Sequence, residues 1–149
     1  MATTKRTRTI AARPERVWEV LQDPHHMPRW WPGVTRMEGV EEERFTQVFK
    51  TKKGRSVRMD FQVVASEPPG AGYSGSRVWS QEVEGSPFER VLTESVIEVV
   101  LEPEGDQTKV TIAQRQKLRG YSRTGGFLLK RATRSKLDEA LDGLERVVG

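Results

Sequence analysis

Beyond Gly33, hydrophobic and polar positions alternate with a period of two through most of the chain. This spacing places apolar side chains on one face of a β-strand. It predicts strands over residues 34–41, 44–51, 56–66, 73–84, 88–102 and 108–119, with a weaker first strand over 3–12. The breaks between them carry turn chemistry: Lys53-Gly54, Pro68-Pro69-Gly70, Gly85-Ser86-Pro87 and Pro103-Glu104-Gly105-Asp106. Connections this short join antiparallel neighbours. Two segments break the alternation. Pro14 suits the first turn of a helix whose apolar face is Val17, Trp18, Val20 and Leu21, and Asp23-Pro24 stops it. Residues 25–32 form a second short helix or loop holding Met27, Trp30 and Trp31. The chain closes with a helix over 124–148, roughly 37 Å long at 1.5 Å per residue. A long antiparallel sheet beside one helix of similar length buries both by curling around it, so the expected architecture is α+β, in a single domain over residues 1–149.

Parity assigns the faces. Val57, Met59, Phe61, Val63 and Ala65 share one face of their strand, and Tyr73, Arg77, Trp79 and Gln81 share one face of the next. Val91, Thr93, Ser95, Ile97, Val99 and Leu101 point inward from the sixth strand, and Val110, Ile112, Gln114, Gln116 and Leu118 from the seventh. These inner faces are apolar at one end and polar at the other. A buried amide or hydroxyl without a partner costs about 1–3 kcal/mol. The inward Thr93, Ser95, Gln114 and Gln116 must therefore meet one another, water or a ligand. A half-apolar, half-polar interior is what a ligand chamber requires, the alternative being a packed core with a self-satisfied glutamine pair. The last helix divides the same way. Leu137, Leu141, Leu144 and Val148 make an apolar stripe, and its N-terminal extension meets Phe127, Lys130, Thr133 and Arg134, which brings Lys130 or Arg134 over the polar end.

Composition narrows the chemistry. With 0 Cys, the 149-residue chain has no thiol nucleophile, disulfide or cysteine-ligated metal, and its 2 His are adjacent, at positions 25 and 26, where they share no helix face. No metal or other cofactor is expected. There is no apolar run of about 20 residues to span a bilayer, and the N-terminus lacks a secretory h-region, so a cytoplasmic location is expected. The net charge of +4 hides a segregation: residues 107–137 hold no Asp or Glu, whereas the charged residues of 82–106 are acidic apart from Arg90. Parity sets Glu94, Glu98 and Glu102 opposite Lys109, Arg115, Lys117 and Arg119 across one hairpin, which accounts for much of that charge structurally.

The run Ile10-Ala11-Ala12-Arg13-Pro14-Glu15-Arg16-Val17-Trp18, followed by Asp23-Pro24 and Trp30-Trp31-Pro32-Gly33-Val34, resembles the N-terminal signature of the START-like (SRPBCC) superfamily. More narrowly it is similar to the polyketide cyclase/dehydrase and lipid-transport group. The resemblance implies the helix-grip fold, a seven-stranded curved antiparallel sheet around a long C-terminal helix with two short helices after strand one. It also implies a hydrophobic-ligand cavity between sheet and helix. Its members include lipid carriers, aromatase/cyclases, hormone receptors and ribosome-associated proteins, so it fixes no single activity.

Three functions follow as expectations. The first is a binder or carrier of a small hydrophobic molecule. Trp30, Phe49, Met59, Phe61, Trp79 and Phe127 would supply wall, Gln81, Thr93, Ser95, Gln114 and Gln116 would orient the ligand, and Arg77, Lys130 or Arg134 would meet its polar end. The second is a cyclase/dehydratase in which Tyr73 and Arg77 polarise a ketone. The third is an RNA- or ribosome-associated module using Lys50, Lys52, Lys53, Arg55 and the basic run up to Lys136; the scarcity of aromatics among those cations disfavours nucleic acid. Transient contact with an acidic lipid surface fits the basic run, and the sequence leaves monomer and homodimer both open.

Overall fold

A computed structural model describes residues 2–120 and 123–149. Seven strands form one antiparallel sheet: β1 (Ala2–Ile10), β2 (Val34–Glu38), β3 (Arg44–Lys50), β4 (Ser56–Glu67), β5 (Gly75–Gln81), β6 (Leu92–Glu104) and β7 (Gln107–Leu118). Their order across the sheet is β1-β7-β6-β5-β4-β3-β2, so every connection except β1 to β2 joins lateral neighbours. That exception carries α1 (Pro14–Leu21), a 3₁₀ turn (Pro24–His26) and α2 (Met27–Trp30). The long helix α3 (Arg123–Val148) follows β7 and packs on the concave face. This is the α+β helix-grip architecture. No helix among the described residues is long and apolar enough to cross a membrane.

Local chemistry explains the elements that carry the core. Pro14 opens α1, which buries Val17, Val20 and Leu21. Asp23 then caps the 3₁₀ turn, its carboxylate accepting the His25 backbone N–H at 3.0 Å. In α3 the stripe Leu137, Leu141, Leu144 and Val148 is buried against the sheet together with Ala140. Ion pairs from β1 to α3, Arg6 to Asp138 at 2.7 Å and Arg8 to Asp142, lie at the surface and set alignment more than stability. The contact of α2 with α3 is closer than side chains permit. A Cβ on Gly143 would lie 2.5 Å from the Trp30 carbonyl oxygen, so the glycine is what lets the two backbones meet.

The β6–β7 hairpin turns at Gly105, whose φ is +62°. Its register sets Glu94 opposite Lys117 and Glu102 opposite Lys109, whereas Glu98 faces Ala113 and Arg115 faces Val96. Three departures from the expected strands bear on the site. A bulge between Leu92 and Glu94 inverts parity there, so Leu92 points in while Thr93 points out, and Val91, just before the strand, is more than half exposed. Residues 87–90 form a 3₁₀ turn instead of continuing the strand. Likewise β5 starts only at Gly75, leaving Tyr73 in a turn and 74% exposed.

Candidate functional site

Trp79 of β5, Phe45 of β3 and Phe61 of β4 meet under Trp31, the residue that ends α2. Ring centroids are 6.0 Å apart for Trp31–Trp79, 6.2 Å for Phe45–Trp79 and 5.4 Å for the stacked Phe45–Phe61. This aromatic partition crosses the interior. On one side, Val63 and Arg77 face a polar hollow shared with Asp23, His25 and Glu43. On the other, Phe61 and Gln81 face a cavity of about 790 Å³ between the sheet and the N-terminal half of α3.

That cavity has an apolar wall of Trp31, Phe49, Met59, Phe61, Ile97, Leu118 and Leu129. Val91 and Leu128, both more than half exposed, lie at its rim with Phe88, Arg90 and Arg119. Gln47, Gln81, Ser95, Gln114 and Gln116 project into it from β3, β5, β6 and β7. Some of these polar groups satisfy each other: Gln114 Nε2 donates to Ser95 Oγ at 3.1 Å, and Thr133 Oγ1 of α3 donates to Gln116 Oε1 at 3.0 Å. Gln47 Nε2 has only the Met27 sulfur, at 3.2 Å. Gln47 Oε1, Gln114 Oε1 and Gln81 Nε2 are buried with no partner among the described residues. Buried polar groups are normally hydrogen-bonded, so three orphaned amide atoms gathered around one cavity call for a partner inside it.

The charges here have one sign. The lining contains Lys136, Arg90 and Arg119 and, among the described residues, no carboxylate or imidazole. Arg119 is partly engaged, its Nε donating to the Glu89 carbonyl at 2.6 Å. Lys136 has no ion pair among the described residues, and its Nζ lies 5.7 Å from the centroid of the Trp31 ring. Burial pushes its ammonium down to about 8.

The structure brings Phe49, Met59, Phe61, Gln81, Ser95, Gln114 and Gln116 together in this cavity. Other expected site residues lie elsewhere. Trp30 is buried against the backbone of α3, and Trp79 points inward but is roofed by Trp31. Thr93 faces out because of the bulge and donates to the Lys117 carbonyl at 3.3 Å. Phe127, Lys130 and Arg134 are exposed on the outer side of α3. Arg77 lies beyond the aromatic partition, donating to Ser66 Oγ at 2.8 Å; burial pushes its guanidinium down, against a pull from Asp23. Tyr73 and Arg77 therefore form no pair in the cavity. Gln47, Arg90, Arg119, Leu128, Leu129 and Lys136 are among the lining residues that sequence reasoning did not place in the site. Lys136 was legible in part: Leu129, Thr133, Lys136, Ala140 and Gly143 follow helical spacing along one face.

The metal-binding chemistry is equally sparse: no cluster of three His, Asp or Glu occurs among the described residues.

Known structures of similar shape cover nearly all of the chain. The crystal structure of TTHA0849 from Thermus thermophilus has 20% identity and a TM-score of 0.70 over 99% of this chain and 97% of that one. A START superfamily protein from Mycobacterium smegmatis has 14% identity and a TM-score of 0.74 over 98% and 96%. The Zhui aromatase/cyclase from Streptomyces sp. R1128 has 15% identity and a TM-score of 0.74 over 99% and 93%. At such identities the likeness establishes the fold alone. A comparison with curated protein sequences gave no match. The family described as polyketide cyclase / dehydrase and lipid transport matches residues 1–149, and the chain belongs to that family.

Proposed function

We propose that the protein binds and carries a small hydrophobic molecule with a polar, hydrogen-bonding end, held in the cavity between the sheet and α3. The observation that carries this reading is the set of orphaned amide atoms, Gln47 Oε1, Gln81 Nε2 and Gln114 Oε1, on an otherwise largely apolar wall. Two need a donor and one needs an acceptor, so a polar end carrying oxygen acceptors, with bound water or an O–H as donor, fits them. A volume of about 790 Å³ lies within the range of roughly 300–1,000 Å³ typical of small-molecule sites. A cyclase/dehydratase acting in the same cavity is the alternative. Its proton transfers would fall to Lys136, since the lining offers no carboxylate or imidazole among the described residues.

Titration with the neutral dye N-phenyl-1-naphthylamine tests binding independently of charge. Saturable uptake at one site per chain is expected. Leu129→Trp or Met59→Trp, which place an indole inside the space, should weaken it at least tenfold while leaving the melting temperature within a few degrees. Failure to saturate, or uptake indifferent to both substitutions, would overturn the carrier reading.

A further inference from the structure

We propose that the polar end selected by this cavity is negatively charged: the ligand is an acidic amphiphile that enters carboxylate first, with Lys136 as its counter-ion. This rests on the carrier reading and narrows it to one ligand class.

The charge distribution of α3 is the first argument. Its carboxylates turn away from the cavity: Asp138 pairs with Arg6, Asp142 and Glu145 with Arg8, and Glu139 lines an outer groove beside Arg29 and Trp30. Lys136 alone of the helix's charged side chains lines the cavity among the described residues. The chain has 21 Asp and Glu, yet none of them reaches the lining. An ammonium withdrawn from water without a counter-ion is costly, and a carboxylate brought by the ligand removes that cost.

Depth is the second. Lys136 stands over Trp31, and Trp31 belongs to the aromatic partition that floors the cavity, whereas Arg90 and Arg119 stand at the rim with Val91 and Leu128. Gln81 Nε2, an unpartnered buried donor, opens into the same cavity and can supply a second hydrogen bond to a carboxylate oxygen. The alkyl or ring portion then lies along Phe49, Met59 and Leu129 toward the mouth.

The test compares dodecanoate, dodecanol and dodecylamine, each below its critical micelle concentration, by displacement of the neutral dye. The wild-type protein should bind dodecanoate about 10–100-fold more tightly than dodecanol, the worth of a hydrogen bond to a charged group, and dodecylamine most weakly. Lys136→Met should bring dodecanoate to within about threefold of dodecanol by loss of dodecanoate affinity; Lys136→Gln serves as a second neutral variant. Equal binding of acid and alcohol by the wild type would overturn the proposal and leave the carrier reading standing. So would an acid preference that survives Lys136→Met and disappears in an Arg90→Ala/Arg119→Ala double variant, because the head group would then sit at the rim. A protein that binds none of the three probes, or the dye, loses the carrier reading and this proposal together.

Discussion

Replacing Lys136 by Met is expected to stabilise the ligand-free protein by about 1–3 kcal/mol at pH 7, a gain that fades between about pH 8 and pH 10.5. The cause is the uncompensated ammonium. Its ordinary value of 10.5 falls to about 8 on burial, so between these two values the unfolded chain holds the proton and the folded chain has released it. Wild-type stability attributable to this group therefore rises with pH from about 8 to about 10.5. Below the lower value both states are charged and the whole penalty is present; above the upper one both are neutral and it is gone. The cation–π contact with Trp31 opposes this, but at roughly 0.5–1 kcal/mol it offsets only part of the penalty. Urea denaturation of both proteins at intervals from about pH 7 to pH 11 reads the difference directly, because the other titrating groups are common to both. Parallel stability curves would show that Lys136 is hydrated in the folded state.

Gly143→Ala should lower stability by about 1–3 kcal/mol even though alanine is the better helix former by about 1 kcal/mol. The new methyl would sit 2.5 Å from the carbonyl oxygen and 2.8 Å from the Cα of Trp30. Both are backbone atoms, so no rotamer change relieves the clash and α2 must move. Trp31 moves with it, and the floor of the cavity opens, which should weaken dye binding as well. Gly126→Ala in the same helix is the control. Nothing lies within 4 Å of where its Cβ would stand, so it should show only the propensity gain, about 0.5–1 kcal/mol of added stability. Thermal melts of the two variants moving in the same direction would contradict this account of the α2–α3 contact.

How far the sequence carries can be seen at single residues. Parity placed Gln114, Gln116, Ser95 and Phe61 on the concave face, where the structure has them buried, because a ladder without irregularity preserves the period of two. Thr93 fails for the converse reason: the bulge after Leu92 inserts one residue, and nothing in the hydrophobic pattern marks it. Trp79 shows another limit, since alternation assigns a face but not what covers it, and here Trp31 arrives from an element 48 positions earlier in the chain. On α3 the leucine stripe was legible, but its extension toward the N-terminus was drawn through Lys130 and Arg134. The cavity-facing line runs instead through Gly125, Leu129 and Lys136, about one position around the helix. An error that small on a helical wheel exchanges one cation for another in the cavity lining.

The wall formed by Trp31, Trp79, Phe45 and Phe61 separates the space under α3 from the hollow around Arg77. On the carrier reading proposed above, a chamber closed off at that end is a cul-de-sac. Cargo would leave by the doorway it came in by, and whatever end enters last is the end a recipient would encounter first.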